Sequence, residues 1–399
     1  MIAKNYPILF VVIILVSTAI APSFALGEGN RNLLLIGVMS ISPIIVIMYE
    51  KLDNDDFLLL MFMASIILFP LVFHPESMRW STILYSCMFC LTFIAYKRLL
   101  YDSNFTVSDF QKLLKFLIFA YFFVLVIQQF CVLTGLPIFN ISNYDPKTPW
   151  KLNALAAEPS HSARILPLLM YCYLVAVEIR SGQKYNLKNG IKKDKWVWGA
   201  FVWSMITMGS GAAFLFLGLF FLKIIKFRNL IPVIGFMVAL LVVSSFLEIK
   251  ALDRTYKTIE ATLTFNDAAI LKADHSAAMR IVPFMILSKM VGISSMNDWF
   301  GNGIDFTSTI LSNRIPGVPK GATGGGSLQI WLEYGIISFS LFIFFSLITS
   351  IRKEKFIGFL FWCLLVLIVG VNNQIVWLFL LLFITNEYFK NTINKKNIL

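Results

Sequence analysis

The stretch that decides the fold is FLIFAYFFVLVIQQFCVL at residues 116–133, which contains no charged side chain. An apolar run of about 20 residues crosses a membrane as a helix, so we predict a spanning helix over 113–136. The rest of the chain is similar: of 399 residues, 58% are hydrophobic and 14% are charged, and the mean hydropathy is +0.76. Soluble proteins carry about 25% charged residues. The sequence therefore excludes a soluble enzyme and a single-span receptor. Its continuous apolar runs also exclude an outer-membrane barrel, whose strands alternate.

The apolar runs predict an all-α polytopic membrane protein with about 12 transmembrane helices, in a single integral membrane domain, 1–399. Residues 209–211 (GSG) are interpreted as a tight turn between two short spans, because a turn keeps the loop charges alternating. The predicted spans lie near 7–25, 32–49, 57–73, 80–96, 113–136, 162–180, 195–208, 212–226, 230–247, 327–350, 356–370 and 374–389.

The basic residues predict the orientation of these spans. With both termini in the cytoplasm, most of the 34 lysines and arginines fall near short cytoplasmic connections, with a cluster at 180–195. The formal net charge of +12 is therefore assigned to topology, and nucleic-acid binding is disfavoured because no basic stripe is interleaved with aromatic residues. Ser23-Phe24-Ala25 also resembles the cleavage site of a signal peptide. We favour a retained first span, because the apolar run from Pro7 is long for a signal peptide.

Two predicted outer segments, 137–161 and 248–326, are too long to be simple turns. Structureless loops as long as the second are uncommon and usually functional. Within it, residues 281–293 are apolar but interrupted by Pro283 and are too few to span. This pattern predicts an interfacial helix at the outer membrane surface. We expect the chemistry of the protein in these segments.

Several functional classes are disfavoured by what the chain lacks. Ionisable residues near span centres, which coupled transporters use, are almost absent, and no glycine-rich phosphate loop ends in Lys-Ser/Thr. The five cysteines lie within or beside apolar runs, which favours buried hydrophobic roles over a metal site or a disulfide framework. These patterns disfavour a coupled transporter and a nucleotide hydrolase, whereas a charge-poor lipid flippase stays open.

The first candidate constellation is EPSHSAR at 158–164, at the outer end of the sixth predicted span. Proline suits the first helical position, which places Glu158 at the helix N-terminus. His161 and Arg164 are three residues apart and share one helix face. An acid stabilised by the helix dipole and a solvated interfacial histidine would explain the same residues without function.

Two further constellations lie in the second outer segment. DHSAAMR at 274–280 precedes the apolar run, where Arg280 could meet a lipid phosphate or simply anchor a helix at the interface. DWFGNGIDF at 298–306 and the glycine-rich start of the tenth span, 321–337, combine aromatic, amide and acidic side chains. That composition suits a sugar-binding lip, and equally an interfacial aromatic belt with turns.

These residues resemble the bacterial O-antigen polymerase and ligase superfamily, the Wzy-like enzymes that act on lipid-linked oligosaccharides. The family shares about a dozen spans, a large periplasmic loop before the last three and a GT-C-like architecture. Its short motifs are matched by Glu158-Pro159-Ser160, Arg280, Gly301-Asn302-Gly303 and residues 328–337. Arg314 and Gly325 also satisfy a spacing associated with the polymerases. Gly325-Gly326 stand where the ligase pattern has His-Asn, which favours a polymerase.

The resemblance implies a metal-independent glycosyltransferase of the bacterial inner membrane, without cofactor. It would transfer a growing glycan from undecaprenyl diphosphate to a lipid-linked repeat unit on the periplasmic face. Its partners would be the undecaprenyl-diphosphate-linked oligosaccharide, membrane lipids and a chain-length regulator protein. Arg280, with Arg164 or Arg314, would neutralise the diphosphate, and Glu158 or His161 would act as the base. Further substrate contacts are assigned to Arg254, His275, Asp305 and Lys320. The alternatives are a ligase acting on lipid A–core and a non-catalytic flippase.

Overall fold

The computed structural model describes residues 6–27, 31–49, 53–141, 144, 146–208, 210–224, 257, 260–261, 275–315, 324–351 and 355–396. Side chains at 54, 188, 224, 275–280, 355 and 393–396 are not described. The helices are α1 (Tyr6–Ala19), α2 (Leu33–Met48), α3 (Asn54–Phe73), α4 (Trp80–Asp102), α5 (Val107–Thr134), α6 (Pro159–Ser181), α7 (Leu187–Lys193), α8 (Lys195–Thr207), α9 (Gly211–Ile224), α10 (His275–Ser288), α11 (Met296–Phe300), α12 (Phe306–Arg314), α13 (Leu328–Ile351), α14 (Lys355–Trp362) and α15 (Gln374–Lys396).

The described part of the chain is helical and suited to a membrane. Five helices are long and apolar enough to cross one: α4, α5, α6, α13 and the segment Asp55–Phe73 of α3. Four more apolar helices are shorter, namely α1, α2, Gly211–Lys223 in α9 and the segment Phe356–Leu367, in which α14 continues into a π-helical turn. Within the described ranges the only β-type pairing is one bridge between Leu26 and Asn32. The predicted span 230–247 lies outside the described residues.

The helices on both sides of the turn predicted at 209–211 are separate, as expected, while residue 209 lies outside the described residues. Helix α8 ends at Thr207 and α9 begins at Gly211. The Phe201 and Phe220 rings pack with centroids 5.0 Å apart, so the two helices fold back on each other. One continuous helix could not bring these two rings together, because they are 19 positions apart in sequence and a helix rises about 1.5 Å per residue.

The chain divides into two compact units, which are described separately. Unit 1 comprises 1–38, 99–256 and 381–399, and unit 2 comprises 39–98 and 257–380. In unit 1, α6 is buried on all sides from Ser162 to Ala176, as expected for a helix whose apolar residues surround its axis. Tyr171 of α6 stacks on Phe383 with ring centroids 5.6 Å apart.

One end of unit 1 gathers helix ends that the charge pattern assigns to the same side of the membrane. Tyr101 near the end of α4 meets Tyr388 of α15 with ring centroids 4.9 Å apart. Gln111 near the start of α5 accepts a hydrogen bond of 3.2 Å from Arg180 at the end of α6. These contacts agree with the predicted alternation, and the assignment of this end to the cytoplasm stays a prediction.

Unit 2 is built around aromatic packing between α3, α4, α13 and α15. Phe62 and Phe342 pack with ring centroids 5.2 Å apart, and Phe89 lies parallel to Trp377 at 5.5 Å. Large flat side chains bury much apolar area at little conformational cost. These aromatic contacts hold the helices together at mid-length, and the polar contacts described below lie at the two ends of the unit.

At the end of unit 2 that is predicted to be cytoplasmic, two adjacent basic residues of α4 bind the ends of α2 and α3. The Lys97 ammonium contacts the carboxylates of Asp53, Asp55 and Asp56 at the start of α3. Arg98 donates to the carbonyls of Val46 and Tyr49, where α2 ends. A cation near the C-terminus of one helix and acids at the N-terminus of another both complement helix dipoles. α4 therefore continues past the predicted end of its apolar run, at 96, to Asp102.

The predicted interfacial helix over 281–293 has different bounds and surroundings. Helix α10 runs from His275 to Ser288. Its residues Val282 and Leu287 are buried in a core cluster with Leu311 of α12 and Leu332 of α13. Neighbouring helices of the same unit therefore cover Val282 and Leu287, and the location of α10 at the outer membrane surface stays a prediction.

Candidate functional site

The second polar end of unit 2 is organised by a break inside helix α13. Gly335 has φ 85° and ψ 165°, a conformation that is essentially restricted to glycine. A Cβ atom on Gly335 would lie 2.0 Å from the Trp299 carbonyl oxygen, and one on Gly301 (φ 94°) would lie 2.2 Å from the Glu333 carbonyl oxygen. The turn at 301–303 and the break therefore fit together backbone against backbone, with no room for a side chain.

Asn302 repairs the hydrogen bonding that the break disturbs. In a regular helix the Leu332 carbonyl would accept from the amide four residues later, beyond the break. Instead it accepts from the Asn302 backbone amide at 2.9 Å and from the Asn302 side-chain amide at 3.0 Å. A buried carbonyl without a donor would be costly. The Gly301-Asn302-Gly303 segment is thus a cap for an interrupted helix.

Glu333 is buried beside this cap, with 1% of its surface exposed. One carboxylate oxygen accepts from the Thr307 hydroxyl and from the Thr307 amide at 3.3 Å. The other oxygen accepts from the Gln329 side-chain amide at 3.1 Å. Burial of a carboxylate requires such donors, so Glu333 holds the first residues of α12 against α13.

The connection between α3 and α4 is joined to the same turn by three polar contacts. His74 Nε2 lies 3.0 Å from the Gly301 carbonyl oxygen, and the Ile304 amide donates to the Ser77 hydroxyl at 3.3 Å. Arg79 donates to the Asp305 carboxylate at 2.7 Å. The connection thereby forms one side of a polar surface whose other side is the 301–307 segment.

Asp305 is in an unusual conformation for a residue preceding a helix. Its φ of 66° and ψ of 6° are left-handed, and its side chain makes no capping hydrogen bond to α12. Aspartate at this position normally caps the helix. Here its carboxylate turns to Arg79 instead, and both side chains stay accessible, at 41% for Asp305 and 51% for Arg79.

Asp298 is another acid of this region; it is half-buried and caps helix α11. Its carboxylate accepts from the amides of Ser295 at 2.8 Å and Ser294 at 2.9 Å. The Ser295 amide and hydroxyl, with the Ser294 amide, hold the pKa of Asp298 below its usual value. These bonds stabilise the charged form, so Asp298 adds a fixed negative charge beside the turn.

The glycines at 324–326 have a packing role. Gly326 has φ 62°, and a Cβ atom there would lie 1.9 Å from the Leu367 carbonyl oxygen. The Ser327 amide donates to that same carbonyl at 2.9 Å. On Gly325 (φ 86°) a Cβ atom would lie 2.2 Å from a Leu287 side-chain carbon. These contacts explain glycine at both positions by close approach to α10 and to the turn that follows α14.

In unit 1, the Glu158-Pro159-Ser160 element opens helix α6, as predicted. Glu158 is the N-cap residue and Pro159 the first helical residue. The Ser160 hydroxyl donates to the Glu158 carboxylate at 3.1 Å, while Ser162 donates to the Asn153 carbonyl at 2.5 Å. His161 is half-buried and Arg164 is buried. The three predicted residues of this constellation therefore share the first turns of one helix.

Buried amides fix the segment that leads into α6. The Gln128 side chain donates to the carbonyls of Phe139 and Asn140 at 2.9 and 3.1 Å and accepts from the Ala154 amide at 2.9 Å. Asn140 and Asn153 extend the network to the carbonyls of Ala154 and Ala156, both at 2.6 Å. A satisfied buried polar network specifies one backbone path. The described part of 137–161 is thus a fixed support for Glu158.

The predicted site residues fall into four groups. Glu158, His161 and Arg164 belong to unit 1, whereas Asp305 and the exposed Arg314 lie at opposite ends of α12 in unit 2. His275 and Arg280 lie on helix α10 of unit 2, and their side chains are not described. Arg254 and Lys320 lie outside the described residues.

Sequence reasoning missed His74, Ser77 and Arg79 and gave no role to Glu333. Two signals were available for the α3–α4 connection. His74 is one of only three histidines in the chain, and Arg79 is a basic residue on the predicted outer side, where basic residues are disfavoured. The connection is short, lying between the end of α3 at Phe73 and the start of α4 at Trp80, so its length alone did not indicate a function.

Comparisons with known proteins give no assignment. No protein-family model, no curated protein and no solved structure matches this chain. Within the described ranges, no three histidine, cysteine, aspartate or glutamate side chains are close enough together to hold a metal ion.

Proposed function

We propose that this chain is a polysaccharide polymerase of the O-antigen type in the bacterial inner membrane. The observation that carries the proposal is the joining of two separate motifs of the resemblance, Gly301-Asn302-Gly303 and residues 328–337. They interlock through the close approach of Gly301 and Gly335 and the Asn302 cap on Leu332. Two motifs whose backbones pack directly against each other form one structural element. This packing supports the resemblance, because two chance matches would have no reason to meet.

The proposed reaction joins two lipid-linked glycans at the periplasmic face. A hydroxyl oxygen of the acceptor repeat unit bonds to the anomeric carbon of the donor sugar, while the bond from that carbon to the diphosphate breaks. The acceptor proton passes to Glu158 or His161, and undecaprenyl diphosphate leaves with the bonding electrons. Arginine suits the leaving group because its planar, always charged fork binds phosphate oxygens in pairs. We propose Arg280 of unit 2 for this role, with Arg314 of unit 2 or Arg164 of unit 1 as a further candidate.

The fixed start of α6 supports Glu158 as the base. Proton transfer requires a base at hydrogen-bond distance from the reacting hydroxyl, and a base on a flexible loop would spend most of its time elsewhere. The buried amide network holds the backbone before Glu158, and Ser160 bonds to its carboxylate. Glu158 is also only half-buried, which suits a residue that a substrate hydroxyl has to reach.

Deletion of the gene tests the function, with lipopolysaccharide or surface glycan separated on a gel. Loss of long chains with core plus one repeat retained supports a polymerase. Bare core would contradict it and indicate the ligase or the flippase. Gly325-Gly326 in place of His-Asn argue for the first outcome.

Complementation of the deletion tests the roles of the residues. Glu158→Gln and Arg280→Ala should both abolish long chains, and Arg280→Lys should restore only a fraction, because a point charge cannot reproduce the guanidinium fork. Asp102→Asn is the matched control, since Asp102 is an exposed acid at the end of α4, and it should complement fully. Full-length polymer from Glu158→Gln at normal protein level would remove Glu158 from the site.

A further inference from the structure

We infer that Arg79 and Asp305 form a subsite for an uncharged sugar ring of the lipid-linked repeat unit. This inference rests on the proposed function and adds to it a residue from the short α3–α4 connection, Arg79. The pair presents a guanidinium that donates and a carboxylate that accepts, 2.7 Å apart. Each hydroxyl of a sugar can donate and accept a hydrogen bond. Arg79 can therefore donate to one hydroxyl of a ring while Asp305 accepts from the neighbouring hydroxyl.

The exposure of the pair argues against a purely structural role. An ion pair with about half of each side chain accessible contributes little to stability. Asp305 nevertheless adopts a left-handed backbone and leaves its helix uncapped in order to make this contact. Strained positions of this kind cluster at functional sites when the surroundings enforce them. Here the surroundings do so through Ser77, His74 and the bonds of Thr307 to buried Glu333.

The local charge indicates a neutral ligand rather than the diphosphate. The segments 74–79 and 294–307 carry three acids, Glu76, Asp298 and Asp305, against a single arginine whose charge Asp305 already neutralises. A diphosphate placed here would face net negative charge and gain little from Arg79. An uncharged sugar meets no such repulsion and keeps both partners of the pair for hydrogen bonds.

Two accessible tryptophans adjoin these segments. Trp80 follows Arg79 directly, Trp299 precedes the glycine turn, and each exposes about half of its surface, 52% and 44%. Trp299 is held by a hydrogen bond of 3.0 Å from its indole nitrogen to the Ile293 carbonyl. Rigid indole faces offer apolar area at low entropic cost, which suits the apolar faces of sugar rings.

The test uses full-length protein in nanodiscs and three probes. These are the lipid-linked repeat unit extracted from the deletion strain, the glycan released from it by mild acid, and undecaprenyl diphosphate. Arg79→Gln and Asp305→Asn should each weaken glycan binding by about tenfold and leave undecaprenyl diphosphate binding unchanged. In polymerisation assays they should raise KM for the acceptor with kcat retained. Lys112→Gln, which removes a charge from the exposed pair of Lys112 with Asp109, is the matched control and should change neither.

The double variant Arg79→Asp with Asp305→Arg distinguishes a role in glycan binding from a purely structural role of the ion pair. The swapped pair restores the contact between the two segments but exchanges donor for acceptor. Arginine tolerates the left-handed backbone of position 305 less well than aspartate, so we expect a slightly lower melting temperature, with glycan binding still weakened. Recovery of glycan affinity in the swap, unchanged affinity in the single variants, or an equal loss for undecaprenyl diphosphate would each overturn the subsite.

The outcomes also separate the subsite from the proposed function. Wild-type protein that polymerises while Arg79→Gln binds glycan normally would refute the subsite and leave the function standing. Wild-type protein that binds the free glycan but forms no polymer would refute the function, and the effects of the two single variants would still decide the subsite. Absence of any glycan binding by the wild type would refute both.

Discussion

Replacement of Gly335 by alanine should destabilise unit 2 more than any conservative change elsewhere in α13. Two effects combine at this position. A side chain at φ 85° and ψ 165° costs about 1–3 kcal/mol. The added Cβ would also lie 2.0 Å from the Trp299 carbonyl oxygen and 2.6 Å from the Phe300 amide nitrogen. Both are backbone atoms that cannot rotate away, and overpacking of this kind costs about 1–3 kcal/mol more.

The two effects together amount to about 4 kcal/mol, a large part of the 5–15 kcal/mol that holds a typical protein folded. The melting temperature of purified protein in one detergent should fall by about 10 °C, using about 2–4 °C per kcal/mol for large domains. Gly199→Ala is the matched control, because Gly199 lies within helix α8 and a Cβ there meets nothing within 4 Å. Alanine favours a helix interior, so this control should melt at or slightly above the wild-type temperature.

Gly301→Ala is a second variant to be compared by the same melting measurement. Its Cβ would lie 2.2 Å from the Glu333 carbonyl oxygen, on the opposite side of the same contact. One rearrangement of the turn can relieve both clashes, so the double variant should lose less stability than the sum of the single losses. A Gly335→Ala protein that melts with the Gly199→Ala control would refute the interlocked turn and break.

Lys97→Met should lower stability by about 3 kcal/mol, since it leaves buried carboxylate charge without its cation; Lys112→Met, at an exposed pair, should not, and equal melting temperatures would contradict the buried clasp. Gln128→Leu should cost about 2 kcal/mol or more, because two carbonyls and one amide lose their partner, and a wild-type melting curve would show that the network is not needed. Lys272→Cys should react with an impermeant thiol reagent in cells whose outer membrane is opened, while Lys188→Cys should not; the reverse pattern would invert the topology. Purified protein should still lengthen lipid-linked glycan in excess EDTA, and recovery of activity only with added magnesium or manganese would refute leaving-group stabilisation by arginine alone.

The sequence could predict the helices because their apolar runs are long and their ends are marked locally. The predicted span 327–350 lies within one residue of α13, Leu328–Ile351, and proline marked the start of α6 at Pro159. The break at Gly335 could not be predicted, because a single glycine inside a helical pattern is usually tolerated. The break lies where the backbone of Trp299, 36 positions earlier in the chain, packs against Gly335. No local sequence pattern indicates a contact over that separation.

The candidate site was partly predictable for a similar reason. Glu158 stands out because its helix start is encoded within a few neighbouring residues. The contact of Arg79 with Asp305 joins residues 226 positions apart, and no local pattern reports it. Gln128 gave a signal that could have been used, since an amide inside an apolar span has to find partners.

The clasp of Lys97 on the start of α3 bears on how the chain is made. Asp56 precedes Lys97 by 41 residues in the chain, so the acids at the start of α3 are synthesised before the lysine that pairs with them. Neutralisation comes only with the end of α4, and Arg98 satisfies the last carbonyls of α2 in the same step. The packing of α2, α3 and α4 is thereby coupled, because the end of α2 and the start of α3 gain these charged partners only when the end of α4 is in place.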